Sequence, residues 1–336
     1  MTELSPRKEP RILLRDNFFR NSVFLLSVLF SSLSFGWGAK GHQIVAYVGA
    51  LTASEGPAFW QSNADSLRIL STVPDRVWKG AATKADEAPT HWFQADAFYK
   101  PTDYAQIILF PQKFSDAVTK YTSPVMIKNG TAPWRIEQMY NLALQSFKAH
   151  DMQKGLEYVG TMTHYIGDLS QPLHVSENYD GAMTGNVGIH AFFETTNIVD
   201  EMAIRKDVLS RAQGLLKDPS FLANFNGTLM DIIFLEIERS IALRDTVINN
   251  DLRLGRTRNG AGVQLELAKD RLADGAATLA MVLNRFWKEA GLLENASPIA
   301  VQDPAWIAPD YSQLPIQKNL LYTSKYSTGD EDDCSQ

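Results

Sequence analysis

Apolar residues recur every three to four positions along most of the chain, and this spacing restricts its fold more than any other feature. The pattern is clearest in residues 42–51, 136–147, 156–166, 229–243 and 265–292. Such spacing places apolar side chains on one face of an α-helix, whereas a half-buried strand needs strict alternation. Alternation over the length of a strand is hard to find in this sequence. We therefore predict an all-α fold.

Turn-forming residues separate these helical segments. Glycine, asparagine and proline pairs or triplets stand at positions 56–57, 129–130, 226–227 and 260–262, where helices are expected to break. No internal repeat or low-complexity tract divides the chain. We predict one helical domain over residues 37–293. Four prolines after residue 295 indicate an extended tail over residues 294–336, with a disordered acidic end.

The amino terminus has the organisation of a secretory signal peptide. Five basic residues lie within the first 20 positions, an apolar run follows over residues 23–35, and Ser34 and Gly36 are small. The apolar run is shorter than the roughly 20 residues that a membrane-spanning helix needs. We predict a signal peptide over residues 1–36, cleavage after Gly36, and a secreted or periplasmic protein whose mature chain begins at Trp37.

Charge and cysteine content argue against a duplex-binding protein and against a fold held by disulfides. The formal net charge is −6, so global electrostatics do not favour binding to duplex nucleic acid. Metal ions could nevertheless supply local positive charge for a phosphate group. The chain has one cysteine, Cys334, which excludes an intramolecular disulfide.

Residues 164–194 contain the strongest chemical signal in the sequence. His164 and Asp168 are four residues apart, as are His190 and Glu194, and His174 lies between the two pairs. Side chains four apart lie on one face of a helix. Imidazole and carboxylate are common zinc ligands. The segment therefore predicts a metal site.

Four further candidates precede this segment. Trp37 and His42 occur in WGAKGH, Asp75 in VPDRVW and His91 in THWFQ. In order, the residues resemble the signature of a superfamily that contains the zinc-dependent single-strand nucleases of fungi, plants and bacteria and the bacterial zinc phospholipases C. The resemblance extends from residue 37 to about residue 200.

The resemblance implies three zinc ions at the base of a cleft. The first would be held by Asp75, His91, His164 and Asp168, and the second by His174, His190 and Glu194. The third would be held by the α-amino group and carbonyl of Trp37, by His42 and by a bridging Asp168. An α-amino group has a pKa near 8, about two units below that of lysine, and so loses its proton to a metal more easily. Signal cleavage would thus create part of the site.

Clustered zinc ions suit phosphodiester hydrolysis, because they polarise phosphoryl oxygens and activate a bound water. We therefore expect a metal-dependent phosphoesterase in which Asp75 and Asp168 are central to catalysis. Basic side chains can stabilise negative charge in the transition state, and Arg76 and Lys79 are the candidates. No protein partner is implied, and we expect a monomer.

Two substrate classes remain open. Trp92, directly after His91, resembles the nuclease aromatic that stacks on a base, and Asn186 could contact a nucleotide. By contrast, Glu194 preceded by Phe193, and the short stretch over residues 175–189, resemble the phospholipases. We favour single-stranded nucleic acid and nucleotides, with release of phospholipid head groups as the alternative. A non-catalytic protein that binds zinc or phosphate is the second alternative.

Overall fold

The computed structural model describes residues 1, 37–80, 83–292 and 298–299, without the side chain of residue 224. The predicted signal peptide and its cleavage site, nearly all of the predicted tail, and Cys334 lie outside these residues. Within the described ranges all regular structure is helical, which confirms the all-α prediction. None of the helices in these ranges is long and apolar enough to cross a membrane.

The α-helices are short near the amino terminus and long near the carboxyl terminus. They are α1 (Gly38–Thr52), α2 (Pro57–Ser62), α3 (Ala64–Leu70), α4 (Lys84–Glu87), α5 (Phe114–Tyr121), α6 (Ser123–Lys128), α7 (Ala132–Lys148), α8 (Met152–Ser170), α9 (Ile189–Ala191), α10 (Glu201–Leu215), α11 (Pro219–Leu222), α12 (Leu229–Leu254) and α13 (Asn259–Ala290). Two π-helical turns, Pro74–Trp78 and Phe192–Thr196, and four 3₁₀ segments, Ala88–His91, Ala95–Ala97, Pro101–Leu109 and Ala223–Phe225, lie between them.

Helix α8 lies at the centre of the domain. Each of its residues from Gly155 to Ser170 is buried, and the helix packs against α1, α3, α7, α12 and α13. A helix buried on all sides must be apolar around its circumference, unless its polar residues have partners. Gly160 allows α3 to approach, because a Cβ there would come within 2.4 Å of the Cβ of Leu70. Because α8 is buried on all sides, the polar residues at its carboxyl end need partners.

The predicted breaks between helices are mostly confirmed. Gly56 and Gly130 adopt positive φ angles of 60° and 94° in connections between helices, and residues 226–227 precede α12. The predicted break at residues 260–262 is wrong, because these residues form the first turn of α13. A Cβ at Gly260 would lie 2.1 Å from the carbonyl oxygen of Gly255. Glycine here lets α13 begin close against the end of α12.

Candidate metal centre

Helices α1 and α8 bring three of the predicted ligands together. His164 and Asp168 occupy the last turns of α8, and His42 faces them from α1. His42 Nε2 lies 3.4 Å from Asp168 Oδ1, and the rings of His42 and His164 stack with centroids 3.7 Å apart. Gly167 makes this approach possible, because a Cβ there would lie 2.9 Å from His42 Nδ1. These three side chains form one potential metal-binding group.

Asp75 and His91 reach the same place from irregular segments. Asp75 lies on the π-helical turn Pro74–Trp78 and His91 ends the 3₁₀ segment Ala88–His91. Asp75 Oδ1 is 3.6 Å from His91 Nδ1 and 3.6 Å from His164 Nε2. His91 Nδ1 is 3.0 Å from Asp168 Oδ2. With His164, Asp75 and His91 form a second potential metal-binding group, and Asp168 borders it.

His174, His190 and Glu194 form the third group. His190 Nε2 is 2.8 Å from Glu194 Oε2, and His174 Nε2 is 3.4 Å from the same oxygen. Glu194 lies on the second π-helical turn, Phe192–Thr196. His174 Nδ1 is 3.5 Å from Asp168 Oδ1. Asp168 therefore lies between this group and the other two.

The donor set fits metal ions. The side chains of the three groups are buried. Several of their polar atoms make no hydrogen bond among the described residues: both ring nitrogens of His42, Asp75 Oδ2, Asp168 Oδ1 and His174 Nε2. Buried polar atoms without partners are costly and uncommon, and cations would satisfy them. Nitrogen and oxygen donors without thiolates are typical of catalytic zinc sites.

The pKa values of His42 and of two carboxylates favour metal binding. Burial, together with the neighbouring His164, lowers the pKa of His42 to about 4, which keeps its imidazole neutral. Burial alone would raise the pKa of Asp168, but His164 and His174 outweigh it and hold this pKa well below its usual range. His190 and His174 likewise hold the pKa of Glu194 at about 2 against the effect of burial. Neutral imidazoles and ionised carboxylates are the forms that bind metal. His164 and His174 differ, because neighbouring carboxylates raise their pKa values, so a metal ion would displace a proton from each.

A buried pair behind His91 was missed in the sequence. His91 Nε2 is 3.2 Å from Glu87 Oε1, Arg135 NH2 donates to Glu87 Oε2 at 3.2 Å, and the Tyr165 hydroxyl also donates to Glu87. A carboxylate on the outer nitrogen of a metal-ligating histidine fixes its tautomer and orientation. Glu87 precedes His91 by four residues, the same spacing as the two pairs found in residues 164–194. That spacing could have revealed it.

Backbone carbonyls hold one ring nitrogen of each of two further histidines. His164 Nδ1 lies 2.7 Å from the carbonyl oxygen of Ser71, and His174 Nδ1 lies 2.8 Å from that of His91. Gln171 Nε2 donates to Glu194 Oε2 at 3.2 Å. These contacts join residues far apart in the chain, and no local pattern in the sequence marks them.

The remaining predicted residues fall in different surroundings. Trp37 is fully buried at the start of α1, its Nε1 donates to Ser170 Oγ at 3.0 Å, and its carbonyl accepts from the Gly41 amide at 3.1 Å. The ligand role of its amino group depends on cleavage after Gly36 and stays a prediction. Lys79 Nζ lies 2.9 Å from Asp75 Oδ1, whereas Arg76 is exposed.

The two predicted substrate contacts also differ. Trp92 is half-buried, and its Nε1 donates to the Lys128 carbonyl at 3.3 Å. Asn186 is buried, and its side chain is already engaged. Its Nδ2 donates to Asp251 Oδ2 at 2.9 Å, and its Oδ1 accepts from Thr184 Oγ1 at 2.6 Å.

Fold and site together define a helical protein with a buried centre of three adjoining groups of metal-ligating side chains. The chain is 29% identical over 180 residues to Nuclease S1 of Aspergillus oryzae, a match that covers 50% of this chain and 53% of that protein. This similarity confirms the resemblance to the single-strand nucleases that the sequence indicates.

Other comparisons cover less or are more distant. A stretch of 94 residues is 31% identical to a probable serine protease of Bradyrhizobium tropiciagri, over 23% of this chain and 12% of that protein. Alpha-toxin from an avian strain of Clostridium perfringens aligns with a TM-score of 0.46 and 16% identity, over 74% of this chain and 63% of the toxin. The chain spans about half of Nuclease S1 and a small part of the protease. No protein-family model matches it.

Proposed function

We propose that this chain is a zinc-dependent phosphodiester hydrolase that cleaves single-stranded nucleic acid and nucleotides. The observation that carries the proposal is the cluster of buried nitrogen and oxygen atoms without hydrogen-bond partners, arranged in three groups around Asp168. A structural zinc site is usually closed by four ligands, often thiolates. Adjoining groups of three side chains leave coordination positions for water and substrate. The similarity to Nuclease S1 supports the choice of reaction.

Three zinc ions would be held by the side chains that the sequence predicted. The groups are Asp75, His91, His164 and Asp168; His174, His190 and Glu194; and His42 with Asp168 and the amino group and carbonyl of Trp37. Bound zinc would polarise the phosphoryl oxygens and lower the pKa of a water molecule from about 16 towards 7.

The protein side chains would orient the phosphate and stabilise its charge. Burial would raise the pKa of Asp75, but Lys79 and the surrounding histidines outweigh it and keep the carboxylate ionised. Lys79 lies at the edge of the cluster with its side chain 8% exposed, where its ammonium can stabilise negative charge that develops on the phosphate. Arg76, one residue from Asp75 and exposed to solvent, remains the second candidate for this role.

Trp92 supports nucleic acid as the substrate class. It follows His91 directly and retains partial exposure, so a base could stack on the free part of its ring. Such stacking is sequence-tolerant and contributes about 1–3 kcal/mol per base. A substrate contact by Asn186 remains a prediction, and its engaged amide makes that contact the weaker of the two.

Release of phospholipid head groups is the second candidate function. The second zinc would take a glutamate, Glu194, as in the phospholipases, and the loop that leads into His190 is short. Met183 and Val187 on this loop are 74% and 63% exposed. Exposed apolar side chains next to a site suit contact with a lipid surface.

A side-by-side assay separates the two functions. The zinc-loaded protein would be given single-stranded DNA, RNA and phosphatidylcholine vesicles, with Asp168→Ala as the inactive variant and His150→Ala as a control, because His150 is exposed and outside the cluster. We expect turnover of the nucleic acids that is lost in Asp168→Ala and kept in His150→Ala. Turnover of the lipid alone would refute the proposed substrate, and a wild-type protein without bound zinc would refute the metal centre.

We also propose that the protein is exported and that the signal peptide is removed. Amino-terminal sequencing of protein recovered from the periplasm or the medium should begin at Trp37. A mature chain that begins elsewhere would remove the amino-group ligand from the third site.

A further inference from the structure

The metal-ligating side chains are not held equally firmly by the fold. His42, His164 and Asp168 belong to long helices, and His91 is fixed by Glu87. His190 is different, because it lies in the three-residue helix α9 after a loop over residues 171–188. A ligand on a loop needs other contacts to hold its position.

One side of His190 is held from within the loop. Asp180 Oδ1 accepts hydrogen bonds from the amides of Gly188, at 2.9 Å, and of His190, at 3.2 Å. The carbonyl oxygen of Tyr179 lies 3.1 Å from His190 Nδ1. Gly181 adopts a φ of 77°, and a Cβ there would lie 2.6 Å from Asn186 Oδ1. The loop is therefore folded tightly upon itself.

The other side of His190 is held by residues at and just after the carboxyl end of α12. Arg256 NH2 donates to the carbonyl oxygens of Asn186, at 2.7 Å, and of Val187, at 3.0 Å. Arg256 also pairs with both oxygens of Asp251, through Nε at 2.8 Å and NH2 at 2.9 Å. Asp251 in turn accepts from Asn186 Nδ2 at 2.9 Å. Arg256, Asp251 and Asn186 thus each contact the other two.

The same guanidinium also reaches the residues after His190. Its carbon lies 5.9 Å from the ring centroid of Phe192, which stands between His190 and Glu194. Arg256 therefore contacts the chain on both sides of His190. A planar fork of donors can bridge two carbonyls and a carboxylate at once, which an ammonium group cannot do.

We propose that Arg256, Asp251 and Asn186 form a clamp that positions His190, and that this clamp sets the metal affinity of the group His174, His190 and Glu194. The inference rests on the proposed metal centre. Arg256 is a positioning residue, since its contacts are with the loop, with Asp251 and with Phe192. Loosening the clamp should weaken one bound ion and leave the ions at the other two groups in place.

The test compares Arg256→Ala, Arg256→Lys and Asn186→Ala with the wild-type protein. Arg211→Ala is the matched control. Arg211 also pairs with several carboxylates, but it lies on α10 and its partners belong to α10 and α13. Zinc retained in competition with a chelator would be counted by mass spectrometry. Circular dichroism melting would check the fold. Removing outer contacts of metal ligands commonly weakens metal binding about 10- to 100-fold.

We expect Arg256→Ala to lose one zinc ion at chelator concentrations where the wild type and Arg211→Ala keep all of theirs. Arg256→Lys should fall between them, and Asn186→Ala should show a smaller loss, because Arg256 and Asp251 remain paired. Amide exchange over residues 181–190 should be faster in metal-free Arg256→Ala. A purely structural role would lower the melting temperature without selective loss of one ion.

Three results would overturn the clamp. If the wild type binds zinc and Arg256→Ala binds it with the same affinity and exchange rates, the clamp is wrong and the proposed function stands. If the wild type binds no zinc, the metal centre and the clamp both fail. Should Arg256→Ala not fold, Asn186→Ala decides the question, and unchanged zinc retention in that variant refutes the proposal.

Discussion

The Glu87–Arg135 pair behind His91 gives the sharpest prediction of this structure. Both side chains are fully buried, and the Arg135 guanidinium also donates to Gln138 and lies 5.3 Å from the Trp78 ring. Glu87→Gln removes the negative charge and keeps the shape. It leaves Arg135 charged in a buried site, and breaking a buried pair in this way destabilises a protein by about 3–5 kcal/mol. We expect a loss of this size in the free energy of unfolding.

The measurement is urea unfolding of the metal-free protein. Bound metal must be removed first, because a ligand that binds only the native state adds its own stabilisation. Asp65→Asn is the control, since the Asp65 side chain is 73% exposed in its pair with Arg68. An exposed pair of this kind contributes about 0.2–1 kcal/mol.

A double-mutant cycle separates the pair from other effects of substitution. Glu87→Gln combined with Arg135→Met removes both charges, so the double variant should be more stable than the sum of the single losses predicts. Coupling between contacting residues usually lies between about 0.5 and 3 kcal/mol, and we expect the upper part of this range. A loss below about 1 kcal/mol for Glu87→Gln, or strictly additive losses, would refute the reasoning.

Four further predictions can be tested separately. Asp168→Ala should abolish phosphodiesterase activity and reduce zinc retention, measured by mass spectrometry, because Asp168 adjoins all three groups; a full rate would reject this. Chelation should lower the calorimetric melting temperature, by an amount that corresponds to about 2.7 kcal/mol at a metal concentration of 100 times Kd; an unchanged temperature would contradict it. Trp92→Ala should weaken binding of single-stranded nucleic acid by about 1–3 kcal/mol per stacked base without loss of zinc. Burial would raise the pKa of Asp231, but hydrogen bonds from Thr228 and Gln112 hold it below 3.8. Stability from this ionised helix cap is therefore fully present above the pKa of the unfolded chain and is lost as pH falls through the lower pKa of the folded protein. Asp231→Ala should cost about 1 kcal/mol at neutral pH and progressively less as the solution is acidified, measured by urea unfolding.

The helices could be predicted because burial imposes a repeating pattern on the sequence. Segments 136–147 and 156–166 lie inside α7 and α8. The first pattern marks the buried face of α7, whereas α8 is buried on all sides over the second. The break predicted at residues 260–262 was wrong because glycine has two opposite uses. It can end a helix, or it can allow close approach of another backbone, as Gly260 does against Gly255. Spacing alone does not distinguish these cases.

The candidate ligands could be predicted for a similar reason. Residues four apart on a helix share a face whatever the remainder of the chain does, so His164 with Asp168 is a local signal. The contacts that orient these ligands are not local. Arg135 reaches Glu87 across 48 positions, and Arg256 reaches Asn186 across 70. Such pairs follow from the packing of whole helices, which residue spacing does not encode.

The charge balance of the cluster links metal binding to the stability of the fold. Asp75, Asp168 and Glu194 are buried and ionised, and Lys79 is the cation that contacts them at Asp75. Three negative charges against one positive charge leave two uncompensated when the imidazoles are neutral. In the metal-free protein, Asp168 and Glu194 outweigh burial and raise the pKa of His174 to about 9, and Asp168 and Asp75 likewise raise the pKa of His164. Protons on these two imidazoles can therefore offset both charges. Metal ions must displace these protons, so their affinity, and the stability that they add to the fold, should increase as pH rises towards 9.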